Sequence, residues 1–125
     1  MFLASRYNNF SSNDRVGLLA HFWVNSLFAT QATGGSLYFY DLPARGPQGL
    51  AGWLRSNQVT VINTYVAAFR ALEMDASTRL PNLRVVRLSG DLLMRNDLER
   101  FESLVKVGAE MHNGYVATEC SYITA

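Results

Sequence analysis

Short apolar runs rich in β-branched and aromatic residues alternate with stretches of helical spacing along nearly the whole chain. This alternation limits the fold more than any single motif does. VGLLA (Val16 to Ala20) follows a polar break at Ser11 to Asp14 and reads as a buried strand. VNSLFATQAT places Val24, Leu27, Phe28 and Gln31 on one helical face, and Gly34-Gly35 ends that helix. SLYFY is strand-like, DLPARGPQ is a loop whose Pro47 suits a first helical turn, and LAGWLRSNQ is a helix weakened by Gly52. VTVIN reads as a buried strand, and YVAAFRALEM as a helix with Val66, Phe69 and Leu72 on one face. After the loop STRLPN, LRVVRLS is the next strand. NDLERFESLV opens with Asn96 and Glu99 at capping-box spacing and predicts a helix, and AEMHNGY closes as a last strand.

The order β-α-β-α-β-α-β-α-β predicts an α/β fold: a five-stranded, parallel, doubly wound, flavodoxin-like sheet in the order 2-1-3-4-5, with helices on both faces. Ligands of such sheets sit beyond the carboxyl ends of the strands. That rule selects His21-Phe22-Trp23, Asn63-Thr64-Tyr65, Ser89-Gly90-Asp91 and the run from Asn113 to Glu119, all polar or aromatic.

Composition narrows the function. The chain has 125 residues, 49% hydrophobic and 17% charged, with a net charge of +1, as expected of one ordinary globular domain. Its ten Arg and single Lys are scattered, so neither a nucleic-acid patch nor attraction to anionic lipid is expected. No run is apolar enough for a membrane span, and MFLASR does not read as a targeting segment. The single cysteine, Cys120, excludes an internal disulfide and reads as a small buried filler, which leads us to expect a cytoplasmic protein. There is no G-x-x-x-x-G-K-[ST] phosphate loop, no G-x-G-x-x-G after a strand and no G-x-S-x-G elbow. His21 and His112 have no Cys or carboxylate at zinc-ligand spacing. Arg84 and Arg87 are expected to reach a solvated rim.

LRVVRLSGD (Leu83 to Asp91) followed by NGYVATE (Asn113 to Glu119) resembles a paired signature of the adenylate-forming superfamily, which comprises acyl-CoA synthetases, luciferases and nonribosomal peptide synthetase adenylation domains. Members carry a "GGE"-like segment after "LR-apolar-apolar", and N-x-Y-G-x-T-E some twenty-odd residues later. DRVGLLAHFWVNSLFATQATGGSLYFYD and NQVTVINTY resemble upstream stretches of the family in the same order.

The resemblance implies roles for residues at these strand ends. Tyr115 would stack on adenine, with Asn113 and Gly114 on the same edge and the backbone of Ser89, Gly90 and Asp91 lining the pocket. Thr118 would meet the α-phosphate and Glu119 the Mg²⁺ of ATP, as the catalytic pair. His21, Trp23, Thr64 and Tyr65 would line the acyl side. Val116-Ala117 replace the usual residues after the tyrosine, and Ser89 and Asp91 replace the commoner Gly and Glu. No acid lies between Arg15 and Asp41 to hold an α-ammonium, which favours an aryl, acyl or keto acid. The family's phosphate loop, its Y-x-T-G-D motif and its catalytic lysine are not in these residues, and Lys106 matches neither family lysine.

The resemblance thus implies that residues 1–125 form a single α/β subdomain, a fragment of a larger ligase that is inactive alone. That ligase would convert a carboxylic acid and ATP to an acyl-adenylate and then a thioester of CoA or carrier-protein pantetheine. A subdomain that normally packs against neighbours would also self-associate weakly. The alternative is a non-catalytic flavodoxin-like binding module, in which Tyr115 to Glu119 end a strand and Glu119 is merely solvated.

Overall fold

The computed structural model describes residues 10–19, 24–72, 78–117 and 120–124. Its elements run β1 (Arg15–Leu19), α1 (Val24–Thr33), β2 (Ser36–Tyr40), α2 (Leu42–Arg45), α3 (Leu50–Ser56), β3 (Val61–Tyr65), α4 (Val66–Arg70), β4 (Val85–Ser89), α5 (Arg95–Leu104), β5 (Glu110–Ala117) and β6 (Cys120–Thr124). β1 to β5 are parallel in the order 2-1-3-4-5, as the alternation predicts. A sixth strand, not anticipated, folds back antiparallel on β5 and extends the sheet, pairing Tyr115 with Thr124 and Ala117 with Cys120 across a register shift.

Both faces of the sheet are packed, which is why the central strands read as continuous apolar runs. On one face Val16, Leu18, Val61 and Val85 meet Ala29 of α1 and Phe10. On the other, Leu19, Ile62, Val86 and Leu88 meet Leu50 and Leu54 of α3, Val66 and Phe69 of α4, and Phe101 and Leu104 of α5. Tyr40 closes this second core. Its ring contacts Trp53 edge-on, and its hydroxyl donates within the Gly46–Gln48 turn.

Four local expectations are corrected. The face α1 turns to the sheet is Ser26, Ala29 and Thr30, while Phe28 is 42% exposed and Gln31 is also exposed. Small side chains let the helix approach the strands closely. The Thr30 hydroxyl is satisfied by the Ser26 carbonyl (2.6 Å), so its burial leaves no donor unpaired. α5 begins at Arg95, and its reciprocal cap comes from Asp97, whose carboxylate accepts from Met94 N–H at 2.8 Å, rather than from Asn96 and Glu99. Pro47 lies in the turn ahead of α3, and it is Pro43 that sits in a first turn, that of α2, capped by Asp41.

The fourth correction concerns the arginines. Arg87 is 3% exposed in the middle of β4. Arg84 closes a clamp at the amino-terminal end of the sheet. There the buried Asp14 carboxylate accepts from Arg84 Nε (2.8 Å), a second Arg84 guanidinium nitrogen (2.5 Å), the Thr60 hydroxyl (2.8 Å) and Ser11 N–H (2.7 Å). Thr60 Oγ in turn accepts from Arg15 N–H at 2.9 Å, so one carboxylate ties the approaches to β1, β3 and β4. Burial pulls the Asp14 carboxyl upward, but these hydrogen bonds outweigh it and hold its pKa below the ordinary value.

Candidate functional site

The carboxyl ends of β3, β4 and β5 come together at one edge of the sheet. Parallel register places Tyr65 beside Ser89 and Ser89 beside Gly114, so Gly90 and Tyr115 are the next residues along their strands at the same edge. Chain direction puts them there: had β5 run antiparallel to β4, Tyr115 would lie at the far end.

Gly90 has φ +91°, a region that L side chains rarely adopt, and a Cβ there would come within 3.1 Å of Tyr65 Cδ1. Glycine thus lets β4 turn out of the sheet directly beneath the Tyr65 ring. The following loop is held from α4. Arg70 donates to Asp97 through Nε (2.9 Å) and a terminal nitrogen (2.7 Å), to Asp91 at 2.9 Å and to the Leu92 carbonyl at 3.0 Å. This is a two-toothed Arg–carboxylate fork with a third anionic contact. Hydrogen bonds from Arg70 and Met94 N–H bring the Asp97 pKa down to about 2. Asp91 is also lowered, first by Leu92 N–H and then by Arg70, and Arg70 is raised further, chiefly by Asp97. The Asp91 side chain is therefore engaged in holding its own loop.

The remaining sequence candidates are distributed as follows. Ser89 and Gly114 are buried at the rim. Asn113 lies half-buried on β5, and its buried Oδ1 has no hydrogen-bond partner among the described residues. Thr64 is buried, its hydroxyl donating to the Leu19 carbonyl at 3.3 Å. Tyr65 is half-buried against Gly90. Tyr115 belongs to β5 by its backbone. His21, Trp23, Thr118 and Glu119 lie outside the described residues.

Among the described residues no group of three His, Cys, Asp or Glu side chains could hold a metal ion, and no helix is long and apolar enough to cross a membrane. A cavity of about 600 Å³ lies between α5 and the start of β5, lined by Leu98, Phe101, Val105 and Met111 among others. It is toward the opposite end of the strands from the rim.

Sequence reasoning missed two residues near the rim. Arg70, which organises the loop after β4, ends a helix assigned only by its apolar face. Arg87 carried a usable signal: LRVVRLS was read as a strand inside a parallel sheet, where both faces are covered, so a mid-strand arginine has to be buried.

No protein-family model matches the sequence, and no curated protein matches it. Solved structures do. VinN in complex with L-aspartate is 21% identical with a TM-score of 0.76, over 98% of this chain and 32% of that one. The adenylation domain AlmE of Vibrio cholerae, in complex with glycyl-adenosine-5'-phosphate, is 20% identical with a TM-score of 0.74, over 97% and 24%. A fatty acyl CoA synthetase of Mycobacterium tuberculosis is 15% identical with a TM-score of 0.76, over 93% and 24%. The chain therefore has the fold of a portion of such proteins, and it spans from 24% to 32% of their length.

Proposed function

We propose that this chain is the adenine- and substrate-binding subdomain of an ATP-dependent, carboxylate-activating ligase of the adenylate-forming superfamily. The observation that carries the reading is the in-register convergence of Ser89 and Gly114, with Gly90 and Tyr115 beyond them, at one sheet edge. Independent support comes from the solved structures of adenylation domains and acyl-CoA synthetases that share the fold.

Two features of the described residues support an adenine at this edge. Gly90 offers backbone without a Cβ beneath the Tyr65 ring, and Asn113 holds a buried carbonyl oxygen still in need of a donor, such as an exocyclic amine. Arg70 keeps the Gly90–Leu92 loop rigid through Asp91 and Asp97, so the pocket wall is organised before ligand arrives. By the resemblance, Tyr115 would supply an aromatic face, and Thr118 and Glu119, which lie outside the described residues, a hydroxyl for the α-phosphate and a hard carboxylate suited to Mg²⁺. Magnesium-bound ATP supplies the electrophilic α-phosphorus and the pyrophosphate leaving group. In the parent enzyme a carboxylate oxygen of the acid attacks that phosphorus, pyrophosphate departs, and the acyl-adenylate passes to a thiol, of CoA or of carrier-protein pantetheine.

The test is calorimetry of the chain with a non-hydrolysable acyl-sulfamoyl adenosine. Wild type should bind, and Tyr115→Ala should weaken binding about tenfold, the loss of one stacked aromatic contact. No heat, or heat indifferent to Tyr115→Ala, favours the non-catalytic binding module instead. Pyrophosphate exchange by the chain alone should be absent, because the phosphate loop and catalytic lysine belong to other parts of the parent. Leu92, Met94 and Leu98 are large, apolar and exposed near the start of α5, so weak self-association should be detectable by light scattering.

A further inference from the structure

Helices α3, α4 and α5 pack on one face of the sheet, and α5 is the last of them along the chain. It buries Asp97, Phe101 and Leu104. Beside that buried side runs a second stripe. Arg95, Leu98 and Glu102 recur at spacings of three and four, which keeps them on one flank, and Val105 continues the line just past the last turn. The three helical members are exposed, Leu98 to 46%. Leu98, Glu102 and Val105 form one wall of the cavity of about 600 Å³, and Val107, Ala109 and Met111 line the other. Leu92 and Met94 precede the stripe and Val107 follows it, all three exposed. Exposed apolar side chains gathered beside a cavity mark a contact surface.

What covers it follows from the charges. Arg95 opens α5, and Glu102 lies in its last turn. A helix dipole is positive at its amino end, so both charges oppose the dipole of their own helix and suit that of an antiparallel neighbour. Neither makes an ion pair among the described residues. A two-fold axis between Leu98 and Glu99 brings each Arg95 level with the partner's Glu102 and sets the two Leu98 side chains together. A parallel pair would instead face Arg95 with Arg95. We propose that this flank of α5 receives a second copy of the chain, the two helices lying side by side and antiparallel. The contact is isologous, and at an interaxial distance of about 8–10 Å the Arg95 and Glu102 side chains reach across it. Leu92 then comes level with the partner's Val105, beside the cavity. With ten helical residues a side the contact is small, so the dimer is weak, with a Kd on the order of 100 μM. This pairing is separate from the adenylate reading and would hold in a chain that binds no nucleotide.

The experiment is sedimentation equilibrium of the 125-residue chain from about 10 μM to about 1 mM, with charge reversals on the stripe. The average mass of wild type should rise with concentration toward twice that of the monomer. Arg95→Glu and Glu102→Arg each set like charges face to face, so each should weaken pairing about tenfold or more. The double variant restores opposite charges and should return to within about threefold of wild type. An equimolar mixture of the two single variants should also pair, because each then meets its complement. Both residues are exposed, so the variants should fold as wild type does by circular dichroism. A wild-type chain that stays monomeric at about 1 mM overturns the proposal. So does association that either reversal leaves unchanged, or a failure to recover in the double variant or in the mixture.

Discussion

Replacing Asp14 with asparagine tests the clamp on which the strand starts depend. The substitution preserves volume but removes the charge. It also turns an amide –NH₂, a donor, toward groups that are themselves donors: the Arg84 guanidinium, Ser11 N–H and the Thr60 hydroxyl. Breaking a buried ion pair from one side costs about 3–5 kcal/mol. The Asp14 side chain is 3% exposed but that of Arg84 is 31% exposed, so water recovers part of the arginine's loss and the lower end, about 3 kcal/mol, is expected. For a chain of 125 residues each kcal/mol is worth about 4 °C in Tm, which predicts a fall of about 12 °C by thermal circular dichroism. Arg84→Met leaves the more deeply buried Asp14 carboxylate without its fork and should cost at least as much, and the double variant should lose less than the two single losses combined by about 1–2 kcal/mol, because the interaction is removed only once. The pH dependence has a definite sign. The folded Asp14 pKa lies below the ordinary carboxylate value, so its contribution is complete above about pH 4–5 and is lost as pH falls through the lower folded value. The Tm gap between wild type and Asp14→Asn should therefore narrow toward pH 2. A gap under about 2 °C at pH 7, or strictly additive losses, would show that the carboxylate is not what ties β1, β3 and β4 together.

Two further perturbations address the rim. Carbon-detected NMR should find Asp97 titrating near pH 2, and in Arg70→Met its pKa should climb toward the ordinary carboxylate value. The stabilisation it reports is present above about pH 4 and lost between there and pH 2. Leu92 and Met94, whose N–H groups donate to Asp91 and Asp97, should lose hydrogen-exchange protection in the same variant, and unchanged protection would sever Arg70 from loop order. Gly90→Ala forces a Cβ into a φ of +91° and against Tyr65, so a loss of about 1–3 kcal/mol is expected in denaturant melts, together with weaker binding of the adenosine probe. A neutral effect on both would mean that the β4 turn is not held in this conformation.

The parallel architecture was legible because its signals are local and repeated. VTVIN and LRVVRLS carry apolar residues at consecutive positions, Val61-Ile62 and Val85-Val86, and so on both faces, as suits strands covered on both sides, and right-handed crossovers then leave few strand orders. The β6 hairpin was not legible, because its sequence, CSYIT, carries no strong turn signal before it. The helix α1 was recognised but rotated. Periodicity favours large apolar residues such as Phe28, whereas the contact was won by Ser26, Ala29 and Thr30, which are small enough for the helix to approach the strands.

For the candidate site, local signals were enough to say which chain segments end at this edge of the sheet, since that follows from strand direction and the turn residue Gly90. What each polar side chain does there emerged from the packed fold. It assigned Asp91 and Asp97 to Arg70, Thr64 to the Leu19 carbonyl, Asp14 to Arg84, and Arg87 to the interior. The reason is physical. Strand direction and turn chemistry are set by neighbours along the chain, but a charge finds its partner across distances of up to 70 residues, and no local pattern encodes which one it meets.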